Sequence, residues 1–138
     1  MARTNIKATW QGENAFLAEN ESGGRAQLGG EGIRPMQMVL AALAGCSGVD
    51  VVNILEKKRV NFNDLRVEVS GLRAETHPKV YTDVHVRYFI WGEDIKRKDI
   101  EQAIQLSEDK YCSVSAMLKS TARIHSEYQI LAPEQSAK

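Results

Sequence analysis

Residues 35–59 read PMQMVLAALAGCSGVDVVNILEKKR, and this stretch decides the fold. Proline is tolerated at the first position of a helix, and the residues after it contain no second proline, so a helix is predicted from Pro35 to about Arg59. Between residues 36 and 46 the only polar side chain of any length is that of Gln37, whereas charged side chains appear only later. Because a helix that is apolar on every side is buried on every side, we expect this helix at the centre of the protein.

Strands are predicted on both sides of this helix. Loose alternation over residues 5–17 predicts an N-terminal hairpin, and the glycine-rich stretch from Glu19 to Arg34 is expected to be a loop or an irregular ribbon. Strict alternation of apolar and polar residues over 65–71 and 80–88 predicts two strands that each have one solvated face. The connector between them contains a proline, which favours an antiparallel hairpin.

Helices return in the last third of the chain. Asp94 is expected to cap a second helix. The predicted buried stripe of that helix consists of Ile100, Ala103, Ile104 and Tyr111. A short helix at residues 113–118 and a strand at 122–130 complete the pattern. This order predicts an α+β fold with antiparallel pairing, in a single domain that spans residues 1–138.

Composition excludes several classes of function. The chain has 138 residues, with 18 Lys plus Arg balanced by 18 Asp plus Glu. Binding to nucleic acid or to anionic membranes requires a surplus of basic side chains, so neither partner is expected. The first twenty residues lack the apolar core of a signal peptide, and the longest apolar run is too short to cross a bilayer, so a cytoplasmic location is predicted.

Two cysteines, Cys46 and Cys112, are the candidate reactive groups. The three histidines show no metal-ligand spacing to them, so no metal site is expected. Cys46 lies among small residues that allow close approach to its sulfur, but Asp50 shares its helical face and disfavours a thiolate unless an arginine is near. Cys112 precedes Ser113 at a helix N-terminus, where free N–H groups and the neighbouring Lys110 favour a thiolate.

The stretch around Cys46, together with LSEDKYCSVSAML at residues 106–118, resembles the OsmC/Ohr family of osmotically induced and organic hydroperoxide resistance proteins. The resemblance covers nearly the whole chain. It implies an intertwined homodimer in which two antiparallel sheets wrap around a pair of central helices, with two active sites at the subunit interface. A helix that is apolar on every face is readily buried against its own copy, which agrees with this expectation.

The resemblance also implies a chemistry: reduction of organic hydroperoxides by thiols, with no metal, haem or flavin cofactor. By motif position, Cys46 is the peroxidatic residue that becomes a sulfenic acid, and Cys112 is the resolving residue that forms a disulfide with it. A dithiol, either a small molecule or a lipoyl- or thioredoxin-type protein, would be the reductant. The family's activating arginine matches Arg25, with Arg34 as the second choice, whereas the family's glutamate is replaced here by Met36.

That replacement places the chain in a divergent branch and leaves other functions open. Met36, Gln37 and Asp50 are the expected substrate-binding residues. A non-catalytic dimer that senses redox state or binds an apolar ligand is the alternative, and two cysteines that merely pack are a third possibility. His85 and His125 alternate with apolar neighbours on a predicted strand and are assigned no role.

Overall fold

The computed structural model describes residues 2–135, which form two compact units that divide between Val39 and Leu40. The first unit contains three short strands, and the second contains three longer strands and most of the helical residues. Helix α1 (Pro35–Lys57) begins in the first unit and continues in the second. It starts at the predicted proline and ends two residues before the predicted end. The overall α+β class is confirmed, whereas the prediction of a single domain stays a prediction.

The N-terminal unit is an antiparallel sheet of β1 (Ile6–Trp10), β2 (Phe16–Asn20) and β3 (Arg25–Leu28), in that order. The pairing of β1 with β2 confirms the predicted hairpin. The prediction of a loop or irregular ribbon over Glu19–Arg34 is wrong for the residues that form regular strands, because β2 extends into this stretch and β3 lies within it.

A compact turn makes room for β3. The Asn20 side-chain oxygen accepts hydrogen bonds from the backbone N–H groups of Ser22 at 3.0 Å and Gly24 at 2.7 Å. Gly23 has a φ of 93°, a left-handed conformation that only glycine adopts without strain. Because the turn closes over these few residues, the four that follow are free to pair with β2.

The second unit is built on a sheet of β4 (Phe62–Arg73), β5 (Tyr81–Gly92) and β6 (Arg123–Leu131), in that order. β4 and β5 pair antiparallel, which confirms the second predicted hairpin. β6 pairs parallel with β5, so the expectation of antiparallel pairing throughout is wrong. The reason is the helical connection between β5 and β6, which returns the chain to the end of the sheet where β5 began.

Three helical segments form this connection: α2 (Arg97–Leu106), a π-helical turn (Ser107–Tyr111) and α3 (Ser113–Leu118). The bounds of α3 are those predicted. Asp94, in contrast, does not cap α2, because its φ of 55° places it in a turn and Lys96 occupies the cap position without a side-chain hydrogen bond. The predicted stripe is buried except for Tyr111, which is half exposed because the π-helical turn rotates it out of register.

Helix α1 packs on the β4–β5–β6 sheet through one face only. Its buried residues are Leu43, Ser47, Gly48, Val51 and Leu55. The opposite face is apolar and exposed in the single chain, with Val49 at 60% exposure. The prediction that this helix is buried on every side is therefore wrong for one chain alone. By length and composition α1 would also suffice to cross a bilayer, a criterion that core helices of soluble proteins meet as well.

Candidate redox site around two cysteines

The second unit brings Cys46 and Cys112 together. Cys46 lies in the middle of α1, and Cys112 lies at the residue that precedes α3. The two Sγ atoms and a carboxylate oxygen of Asp50 all lie within 4.8 Å of one another, and both thiols are free. Since a disulfide bond is about 2.05 Å long, a modest rearrangement of the two side chains would join the sulfurs.

Local backbone geometry places the Cys112 sulfur. The Cys112 backbone N–H donates to the Ser107 carbonyl oxygen at 2.7 Å, which closes the π-helical turn. The side chain then acts as the N-cap of α3, because its Sγ accepts a hydrogen bond from the Ser115 N–H at 3.4 Å. Cys112 is buried, with only 3% of its surface exposed.

The pKa of the Cys112 thiol is raised to about 11: burial is the main cause, the Ser115 N–H opposes the rise, and the neighbouring Cys46 and Asp50 add to it. The helix N-terminus therefore does not dominate at this sulfur, contrary to the sequence expectation. A short helix offers a partial positive charge worth a fraction of what desolvation of a thiolate costs. Cys112 is thus a neutral thiol at physiological pH.

Asp50 is the end of a buried hydrogen-bond chain that sequence reasoning missed. Ser107 Oγ donates to Asp50 Oδ2 at 3.0 Å, Ser47 Oγ lies 3.2 Å from Ser107 Oγ, and Tyr88 Oη bonds to Ser47 Oγ. Each hydroxyl has one proton to donate. Because Ser107 donates to Asp50, Ser47 must donate to Ser107, and Tyr88 must donate to Ser47.

The direction of this chain suits a carboxylate at its end. The pKa of Tyr88 is raised to about 12, mainly by burial and also by the nearby Glu108, Cys112 and Asp50, while its hydrogen bond with Ser47 lowers it. Tyr88 therefore remains a neutral donor at physiological pH. No local pattern reveals this chain, because Ser47, Tyr88 and Ser107 lie on different elements far apart in the sequence.

The outer side of Asp50 faces a cleft of about 330 Å³ within the second unit. The cleft is lined by Asn53, Ile54, Lys57, Lys58, Leu106 and Tyr111 together with Asp50. Among residues 40–135, no Lys, Arg or His nitrogen lies within 4.0 Å of the Asp50 carboxylate. The sequence predicts a cation that offsets the charge of Asp50 and so allows a thiolate at Cys46. The second unit supplies no such cation within 4.0 Å of Asp50.

The other predicted site residues lie in the N-terminal unit and have partners there. Arg25 opens β3, is exposed, and pairs with Glu19 through Nε at 3.3 Å. Gln37 lies in the first turn of α1 and accepts a hydrogen bond from the Arg34 backbone N–H at 3.0 Å, as in one half of a capping box. Met36 is half-buried at the start of the same helix. Gln37 therefore has a structural role in starting α1.

Cys46, Asp50 and Cys112 are also the one group of possible metal ligands with suitable spacing in the part of the chain that the structure describes. Histidine spacing in the sequence indicates no metal site. The group arises because a carboxylate one helical turn after Cys46 joins a cysteine from a distant part of the chain.

A long helix with a cysteine at its middle, packed on a mixed sheet and facing a second cysteine from the crossover, defines an α+β protein with a paired-thiol site. The chain belongs to the OsmC-like protein family, whose model matches residues 28–127. This membership confirms the resemblance and accounts for α1 as a core helix of a soluble fold.

Individual relatives match nearly the full chain. Protein YhfA of Escherichia coli K12 is 35% identical over 130 residues, which cover 91% of this chain and 97% of YhfA. The crystal structure of a hypothetical protein from Aquifex aeolicus VF5 superposes with a TM-score of 0.88 at 34% identity, covering 96% of this chain and 98% of that one. An organic hydroperoxide resistance protein OsmC from Legionella pneumophila superposes with a TM-score of 0.69 at 15% identity, covering 94% and 98%, a likeness of fold alone.

Proposed function

We propose that the protein is a cysteine-based hydroperoxide reductase. The observation that carries the proposal is that the Sγ atoms of Cys46 and Cys112 lie within 4.8 Å of each other in a chain of the OsmC-like family. The organic hydroperoxide resistance protein OsmC from Legionella pneumophila has the same fold, which agrees with this chemistry. Cys46 lies beside small residues, is half-buried, and is the more accessible of the two thiols.

The proposed cycle has three balanced steps. The Cys46 thiol loses its proton, and the thiolate attacks the distal oxygen of an organic hydroperoxide. The O–O bond breaks, Cys46 becomes a sulfenic acid, and the leaving alkoxide takes up the proton lost by the thiol and departs as the alcohol. Cys112 attacks that sulfenic acid, which forms the disulfide and releases water. A dithiol, either a small molecule or a lipoyl- or thioredoxin-type protein, then returns both cysteines to thiols and is itself oxidised. No metal, haem or flavin is needed for these steps.

The remaining site assignments belong to the same proposal. Arg25, or failing it Arg34, supplies the cation that polarises the peroxide, and Met36, Gln37 and Asp50 contact the substrate. Asp50 lines the cleft in the second unit, which supports its assignment. The protein would act as one domain and in the cytoplasm.

Homodimerisation is part of the proposal as well. The exposed apolar face of α1, formed by residues such as Ala41, Ala42 and Val49, is suited to bury itself against a second copy. OsmC/Ohr proteins are typically homodimers, which supports the same arrangement. In a dimer with a two-fold axis, this face of one subunit would pack against the same face of the other subunit.

Turnover of cumene hydroperoxide with a dithiol reductant tests the activity. Wild-type protein should consume the peroxide through many cycles, and Cys46→Ser should consume none. Met117→Leu is the matched control, since it removes an exposed sulfur on α3 that peroxide could oxidise without catalysis. Equal rates for wild type and Cys46→Ser would reject the proposal.

A redox-sensing dimer is the second candidate. It is favoured by the lack of a Lys, Arg or His nitrogen within 4.0 Å of Asp50 among residues 40–135, because a cation there would offset the Asp50 charge that disfavours a thiolate at Cys46. A sensor would form the disulfide once but would turn over slowly with every dithiol. Single-turnover oxidation together with absent steady-state consumption would therefore select it.

A further inference from the structure

Three soft or anionic donor atoms converge beside the cleft of the second unit. The Sγ atoms of Cys46 and Cys112 and a carboxylate oxygen of Asp50 lie within 4.8 Å of one another. We propose that these three side chains bind a thiophilic divalent cation, with Zn²⁺ as the chemical class that fits best. Zinc ligand bonds of about 2.0–2.3 Å place tetrahedral ligand atoms about 3.4–3.8 Å apart, so the observed spacing requires only small side-chain shifts.

The charge of the cluster favours a cation. Once a bound cation has displaced the protons of both thiols, the two thiolates and the Asp50 carboxylate together carry three negative charges. Among residues 40–135, no basic nitrogen lies within 4.0 Å of Asp50 to compensate them. A divalent cation bonded to all three groups supplies that compensation directly, and two thiolates select zinc over the oxygen-seeking magnesium and calcium.

Outer contacts already orient two of the three ligands. Ser107 Oγ donates to Asp50 Oδ2 at 3.0 Å, which fixes the carboxylate and leaves its other oxygen for the metal. The Ser115 N–H donates to Cys112 Sγ at 3.4 Å, which fixes that sulfur. Hydrogen bonds of this kind hold ligands in the geometry that the metal requires and are worth about 10–100-fold in affinity.

Access to the cluster also fits a metal site. Asp50 lines the cleft of about 330 Å³, which gives an entry path for an ion. Three protein ligands leave the fourth tetrahedral position open to water or to another small ligand, as in zinc sites that are not purely structural.

Metal and peroxide would compete for the same sulfurs, a consequence that rests on the proposed function. Oxidation of the two metal-bound thiolates transfers two electrons to the O–O bond of a hydroperoxide. The products are the disulfide, the alcohol and, with two protons taken up, water. Because a disulfide sulfur is a poor ligand, the cation is released. The bound cation therefore protects the thiols at low peroxide and leaves at high peroxide.

Titration of the reduced full-length chain with Co²⁺, and separately with Zn²⁺, under anaerobic conditions tests the proposal. We expect one ion per chain, a thiolate-to-cobalt charge-transfer absorption, and calorimetric release of protons from the two thiols. Cys46→Ser and Asp50→Ala should each weaken binding at least about 100-fold, and Ser107→Ala about 10–100-fold. Asp83→Asn is the control, because this half-exposed carboxylate lies beside His125 and is not among the three proposed ligands.

Binding without charge-transfer absorption, or binding that Asp83→Asn weakens and Cys46→Ser does not, would place the ion elsewhere and overturn the proposal. Failure to bind either ion would also overturn it. These outcomes are separate from the proposed enzyme activity, since a protein that reduces hydroperoxide but binds no metal retains the activity and loses only the metal site.

Discussion

Replacing Ser107 with alanine removes a single oxygen atom from the fully buried centre of the hydrogen-bond chain that ends at Asp50. The change leaves almost no cavity, so the resulting loss in the free energy of unfolding measures the lost hydrogen bonds. Ser107→Ala deprives the Asp50 carboxylate of a donor and leaves the Ser47 hydroxyl without its acceptor. Tyr88→Phe is the matched comparison, because it removes only the first donor of the same chain.

The two costs differ because one bond involves a charge. A hydrogen bond to an ionised group contributes about 1.5–3 kcal/mol, and a stranded buried hydroxyl adds to the loss, so Ser107→Ala should cost about 2–4 kcal/mol. Tyr88→Phe removes a bond between two neutral hydroxyls, for which about 1 kcal/mol is expected. Ser107→Ala should therefore lower the free energy of unfolding more than Tyr88→Phe does, even though each variant loses only one hydroxyl oxygen.

Urea unfolding at one fixed protein concentration measures both costs, since association would otherwise shift the apparent stability. The double variant should lose less than the sum of the two single variants, because all three hydroxyls belong to one chain. A Tyr88→Phe cost equal to or above that of Ser107→Ala, or strict additivity, would refute the donor direction derived for this chain.

Three further outcomes follow from other parts of the structure. Alkylation of Cys112 in the reduced native protein, followed by peptide mass mapping, should accelerate about tenfold per pH unit between pH 8 and 10 because its pKa is about 11; a plateau below pH 9 would contradict this. Gly71→Ala should lower the free energy of unfolding in urea by about 1–3 kcal/mol, since the new Cβ would lie 2.7 Å from the Tyr81 ring. Ser70→Ala, at the exposed neighbouring position, is the control and should change stability little. Equal effects of the two changes would contradict the close packing of Gly71 against Tyr81. Val49→Asp should yield monomers in sedimentation equilibrium, and an intact dimer would exclude the α1 face as the interface.

Local sequence rules predicted the elements whose determinants are local. Pro35 begins α1 because proline suits the first helical turn, and the bounds of α3 agree with those predicted. Alternation over β4 and β5 predicted their hairpin, since each strand has one face on the core.

The missed features depend on residues distant in the sequence. β6 is itself an alternating strand, but its parallel pairing follows from the path of the helical crossover. Aspartate is a common helix cap, yet Asp94 lies in a left-handed turn, a conformation that aspartate also tolerates. The candidate site was predicted in part: the cysteines were found, whereas the bonding of Asp50 to a buried serine and the neutral state of Cys112 arise from burial that sequence patterns do not report.

The most direct test of the paired-thiol site is a count of disulfides after one equivalent of cumene hydroperoxide is added to the reduced protein without any reductant. Mass spectrometry of the unfolded, alkylated chain should show one internal Cys46–Cys112 disulfide and the loss of both free thiols. Two thiols that remain free, or linkages only between separate chains, would contradict the account.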